Sequence, residues 1–144
     1  MLFACGKKRR PRLPARRGAA AVEFALVASL FFFVLFGMLE MSRMNMIRQT
    51  ANNAAYEGAR KCVVPGATAS EATSTVQRLL QSIGVTGYTV TMTPTVITST
   101  TPEVTVQVSV PLNNNMWMTP LFMRDITVGA TCRLTRDWVV ATRQ

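Results

Sequence analysis

The chain of 144 residues contains no histidine. That absence removes the commonest general base and the commonest metal ligand. Its seven carboxylates, Glu23, Glu40, Glu57, Glu71, Glu103, Asp125 and Asp137, stand singly along the sequence. No close pair of acids points to acid–base work. There is no glycine-rich phosphate loop, and Gly84-Val85-Thr86-Gly87 reads as a turn between a helix and a strand. The three cysteines, Cys5, Cys62 and Cys132, form no CxxC, which argues against a redox or zinc motif. No catalytic residue, metal site or cofactor is expected, and the chain does not read as an enzyme.

Acidic residues are few and basic ones are crowded at one end. Sixteen Lys/Arg give a net charge of +9, but Lys7, Lys8, Arg9, Arg10, Arg12, Arg16 and Arg17 all precede Gly18. Beyond Gly18, nine Lys/Arg face seven Asp/Glu, so the high charge belongs to the N-terminus and no nucleic-acid partner is expected. Pro11 and Pro14 discourage helix, and the Arg pairs repel one another. Residues 1–18 therefore read as a disordered basic leader.

A long apolar run comes next. Ala19–Leu39 holds 21 residues with one charge, Glu23, and one hydroxyl, Ser29. At about 1.5 Å per residue it spans roughly 30 Å, the hydrocarbon thickness of a bilayer. Leu30 to Phe36 is apolar on every helical face, so this helix belongs in lipid or inside a helical assembly. After the run only Arg43 and Arg48 follow closely, and the charge asymmetry places the N-terminus in the cytoplasm and residues 41–144 outside it. A secretory signal peptide has a shorter apolar core and a small-x-small cleavage site, whereas Glu40-Met41-Ser42-Arg43-Met44 offers none. A plain uncleaved anchor explains the hydrophobicity but leaves Gly18 and Glu23 unexplained.

Glu23 lies five positions past Gly18. A carboxylate within a membrane helix is unfavourable by up to about 2.5–3.5 kcal/mol, and is a functional hypothesis by default. If a peptidase cuts after Gly18, Ala19 gains a free α-amino group with a reference pKa of about 7.7–8.0. Glu23 then lies a turn from such a cation, its own or that of a packed neighbour.

The helix is expected to continue past the membrane to Lys61. Met44, Ile47, Ala51, Ala54 and Gly58 recur at 3-4-3-4 spacing, the seam of a packed helix. Ala51, Ala54, Ala55, Gly58 and Ala59 are small enough to admit another backbone. Two readings stay open: the seam lies on the protein's own domain, or it also packs against neighbouring subunits. Val64-Pro65-Gly66 ends the helix. Thr68 and Glu71 form a capping sequence for a second helix over 69–83, with Gly84 as its C-cap.

Thereafter the apolar period switches to two. Tyr88–Met92 alternates apolar residues with Thr, Val104–Val110 with Thr, Gln and Ser, and Ile126–Leu134 with Thr, Gly and Arg, giving half-buried strands. The loop Thr93–Pro102 looks solvated. The loop Pro111–Asp125 carries Met116, Trp117, Met118, Leu121 and Phe122, either as a cap over the sheet or as a partner-contact patch. Cys132 falls on the core face of the last strand. Cys62 and Cys132 are either two buried free thiols or a disulfide that contributes roughly 4 kcal/mol by closing a long loop.

The expected class is α+β: a long N-terminal transmembrane helix extending into a small extracytoplasmic domain with a second helix and a roughly three-stranded antiparallel sheet. The divisions are 1–18 leader, 19–40 transmembrane helix, 41–61 its extracytoplasmic continuation, and 62–144 an α+β domain.

Gly18-Ala19-Ala20-Ala21-Val22-Glu23-Phe24 resembles a class III prepilin-type cleavage site. It is similar to the start of the TadE family of pseudopilins, of the tight-adherence (Tad/Flp) pilus system. Gln49-Thr50-Ala51 and Ala54-Ala55-Tyr56-Glu57-Gly58-Ala59-Arg60 also resemble that family's Ala-rich, GAR-ending helix. Ala19 departs from the aromatic first residue of ordinary type IV pilins, in favour of the Tad branch. The resemblance covers residues 16–61 and only the layout of the rest. It implies cutting after Gly18 by a prepilin peptidase on the cytoplasmic side of a bacterial cytoplasmic membrane. It implies pairing of Glu23, beside Phe24, with an N-terminal amine, and partnership with other pilins and the Tad assembly machinery in adhesion or secretion. The alternative is an uncleaved, single-pass, membrane-anchored adaptor or binding domain.

Overall fold

A computed structural model describes residues 15–98, 100–117 and 125–136, with side chains from Gly18 onward. The described elements are helix α1 (Ala15–Val63), helix α2 (Ala69–Ser82), strands β1 (Thr89–Thr93) and β2 (Glu103–Pro111), a 3-10 turn (Leu112–Asn114) and strand β3 (Thr127–Thr135). The class is α+β, as the hydrophobic periods imply. The chain divides into two compact units, with the boundary between Gly37 and Met38.

The first unit is the apolar stretch of α1. The helix begins at Ala15, not at Ala19, so the end of the leader is helical rather than disordered. Alanine and arginine are strong helix formers, and Ala15-Arg16-Arg17 offsets the interior Gly18, which costs about 1 kcal/mol relative to alanine. The rest of the leader, with Cys5, lies outside the described residues. Ser29 donates its hydroxyl to the Ala25 carbonyl at 2.8 Å. That bond satisfies the one hydroxyl of the run within its own helix, as a nonpolar medium demands.

In the second unit the sheet is an antiparallel meander in the order β1-β2-β3. Val106 of β2 faces Met92 of β1 and Cys132 of β3 across the ladders. Strict alternation turns Val104, Val106, Val108 and Val110 inward, all fully buried, and leaves Thr105, Gln107 and Ser109 on the other face. Ile47, Ala51, Ala54, Ala55, Ala59 and Cys62 of α1 join the same core, together with Ala72, Val76 and Leu80 of α2.

Helix α2 is bounded by two local devices. The Glu71 N–H donates to Thr68 Oγ1 at 3.3 Å and the Thr68 N–H to Glu71 Oε2 at 3.4 Å, a reciprocal capping box. At the other end the Gly84 N–H donates to the Gln81 carbonyl at 2.9 Å and the Val85 N–H to the Leu80 carbonyl at 3.2 Å. This pairing is a Schellman motif, and it holds Gly84 at a φ of +70° that a side chain tolerates poorly.

The loop Thr93–Pro102 is pinned rather than simply solvated. Buried Arg136 donates through Nη1 to the Thr98 carbonyl at 2.7 Å and through its backbone N–H to the Pro102 carbonyl at 2.8 Å. Thr101 is buried as well, its hydroxyl accepting from the Thr98 N–H at 3.0 Å. The Arg136 side chain, just past the end of β3, is thus turned inward to a carbonyl of the loop.

Candidate functional site

The sequence singles out two stretches of α1, and the structure gives them opposite surroundings. Gly18, Ala19, Glu23 and Phe24 are all exposed. A Cβ built on Gly18 meets nothing within 4 Å, so no packing requires glycine there. Gly37 is equally open, but it lies in the apolar run, and glycine is common in membrane helices. Ala19 and Glu23 are related as i and i+4, so they share a helix face about 5–6 Å apart at Cβ. Among the described residues Glu23 has no ion-pair partner. The Gly18–Ala19 bond lies inside the helix, so a peptidase reaching its carbonyl must first unwind that turn. Glycine lowers the cost of unwinding.

Phe31, Phe32 and Phe33 are each more than half exposed, and successive residues point about 100° apart around a helix. The exposed apolar surface therefore wraps the whole circumference, from Val22 to Met41. At about 1.5–3 kcal/mol for each large side chain removed from water, leaving it wet forfeits tens of kcal/mol. This part of α1 has the length and composition to cross a membrane, and none of its most apolar window is buried within the chain.

The second stretch behaves otherwise. Ala51, Ala54, Ala55 and Ala59 are fully buried by their own domain, and Gly58 is buried with them. A Cβ on Gly58 would stand 2.7 Å from Val76 Cγ2 and 3.5 Å from Val106 Cγ1. The three elements α1, α2 and β2 meet at this glycine. The seam of small residues packs within the protein, and its surface is not open to a neighbour.

Cys62 and Cys132 are free thiols in this structure, so of the two alternatives it carries the unpaired one. Both lie in or against the same core. Burial pushes the Cys62 thiol above its ordinary value, and the nearby Arg136 charge partly opposes that. Burial also raises Cys132. Among the described residues no group of three His, Cys, Asp or Glu could hold a metal ion.

Sequence reasoning missed Asn115. It is buried, and its amide clamps two loops: Oδ1 accepts from the Thr86 N–H at 2.8 Å, while Nδ2 donates to the carbonyls of Thr86 at 2.9 Å and Pro111 at 2.8 Å. Leu112 and Met116 are buried over the sheet end beside it, so this part of the apolar loop is a cap, whereas Trp117 is turned outward. Met118, Leu121 and Phe122 lie outside the described residues.

The sequence model of the TadE-like protein family matches residues 18–60. No curated protein and no solved structure matches the chain. The match begins at Gly18, takes in both stretches of α1 and stops two residues short of Cys62.

Proposed function

From a TadE-like N-terminal segment carried on an exposed apolar helix, we propose that the chain is a minor pseudopilin, a non-enzymatic component of Tad/Flp pilus assembly. It is made as a prepilin with a basic cytoplasmic leader and anchored by α1 in a bacterial cytoplasmic membrane, with its α+β domain outside. A prepilin peptidase cuts after Gly18. The observation that carries this reading is Gly18 itself: a helix-interior glycine that nothing packs against, followed by an apolar helix with a single carboxylate. The fold gives no reason for that glycine, whereas a narrow protease subsite does.

Cutting converts the Ala19 amide into an ammonium one turn from Glu23. A carboxylate in a nonpolar medium is stabilised by an opposite charge at that range. Before assembly the partner is the chain's own amine, and in a helical bundle it is a neighbour's. Transfer from bilayer to bundle keeps the apolar circumference of the helix out of water, so extraction exchanges one nonpolar environment for another.

The test is processing in native cells. Gly18→Glu should block maturation and leave the longer form on an immunoblot, while Gly18→Ala retains partial cutting. Glu23→Val should be processed but fail to join the assembly. A Gly18→Glu protein that runs like the parent, together with a functional Glu23→Val, would instead favour the uncleaved anchored adaptor.

A further inference from the structure

Trp117 is 79 % exposed, more than any other large apolar side chain among the described residues. Two residues earlier, three hydrogen bonds of Asn115 tie the chain to Thr86 and Pro111. Trp117 lines a groove of about 250 Å³ with Leu39, Glu40, Ser42, Arg43 and Met46 of α1. Leu39 is the last residue of the apolar run, and Glu40 and Arg43 are the first charges after it.

These placements fix a depth. A run that fills the roughly 30 Å of hydrocarbon in a bilayer puts its last residues at the boundary between acyl chains and headgroups. Trp117 shares a groove with those residues and therefore lies at the same level. An indole combines an apolar body with one N–H donor and collects where one side is apolar and the other wet. Arg43 can extend its charged head toward lipid phosphate from the same groove while its stem stays in apolar surroundings.

We propose that Trp117 and the groove it shares with residues 39–46 form a membrane-docking surface that seats the α+β domain on the outer leaflet, with lipid headgroups as the occupant. This rests on α1 crossing a bilayer. Docking gives the domain a second attachment besides α1 and limits its rotation until the helix leaves the membrane.

The chain has two tryptophans, Trp117 and Trp138, so Trp138→Phe leaves Trp117 as the only tryptophan, read by excitation that tyrosine does not absorb. The full-length variant is reconstituted in phosphatidylethanolamine/phosphatidylglycerol vesicles containing lipids brominated either high or deep on the acyl chain. A second variant, Phe33→Trp with Trp117→Phe and Trp138→Phe, reports the span. The expected result is that Trp117 emits to the blue, loses most of its emission to shallow bromines and little to deep ones, and is insensitive to aqueous iodide. The Phe33→Trp emitter is quenched by deep bromines. If that emitter is quenched and Trp117 answers only to iodide, the docking proposal falls and the anchor stands. If the Phe33→Trp emitter escapes deep bromines, the anchor falls and docking with it. If Trp117 is shielded from both quenchers, and the shielding disappears when the vesicles are diluted in lipid, a second copy covers it and the proposal is overturned.

Discussion

The two halves of α1 belong to one continuous helix and live under opposite conditions. From Val22 to Met41 the large side chains face outward in every direction; from Ile47 to Cys62 the small ones are sealed under a sheet and a second helix. The contrast is plainest in the glycines. Gly18 and Gly37 have open space where a side chain would go, whereas at Gly58 a Cβ would collide with Val76. Side-chain size follows from this. Where a helix must approach a sheet and another helix at once, alanine and glycine are required, and where it meets a fluid medium, bulk is an advantage because each added methylene favours transfer. A single helix thus carries a half completed by its own domain and a half that calls for lipid or other helices.

Substitutions can break or sharpen that contrast. The largest effect is expected at Gly58. Gly58→Leu should destabilise the domain by at least about 3 kcal/mol, because three packed elements must separate. Gly37→Leu should be neutral or stabilise by up to about 1 kcal/mol through helix propensity. Urea unfolding of the full chain in detergent, followed by circular dichroism, checks the pair. Equal effects at the two glycines would erase the distinction.

Asn115→Ala comes next. It removes the partners of the Thr86 N–H, the Thr86 carbonyl and the Pro111 carbonyl, and a typical hydrogen bond contributes about 0.5–1.5 kcal/mol net. A loss of about 2 kcal/mol in the same unfolding experiment is expected. The apolar half of α1 should keep its helicity, since its hydrogen bonds are its own.

Gly84→Ala should cost about 1 kcal/mol by forcing a side chain into the left-handed region. The rescue residue is asparagine, which tolerates that conformation, so Gly84→Asn should recover part of the loss.

The smallest effect concerns the thiols. Both have values raised by burial, so the folded protein holds its protons to higher pH than the unfolded chain does. Stability from this source is intact below the ordinary thiol value of about 8.5 and declines as pH rises above it. Cys132, half-buried, should react with iodoacetamide before fully buried Cys62. Peptide mapping after timed alkylation at mildly alkaline pH reads the order.

Much of the fold was legible because it rests on period. Alternation in Val104–Val110 and Ile126–Leu134 fixed the inward face of each strand, and the spacing of Met44, Ile47, Ala51, Ala54 and Gly58 fixed the buried face of α1. The capping box and Gly84 were equally readable, since their partners are only a few residues away. Features whose partners are remote in sequence were not. Asn115 bonds to Thr86, 29 residues away, and Arg136 to Thr98, 38 residues away. A polar side chain announces its partners only when the chain returns to meet it. The helical start at Ala15 was missed because the charges and prolines of the leader outweighed the helix propensity of Ala15-Arg16-Arg17. The cleavage reading rests on residues 16–24, whose pattern is visible in sequence, while the openness around Gly18 needed the structure.

The most direct test of a helix with one half matured for membrane and bundle is the intact mass of the protein purified from native cells. The expected mass is that of a chain beginning at Ala19, with the leader removed and everything from Ala19 onward retained. A mature protein that still carries Gly18 and the basic residues before it would contradict maturation at this site.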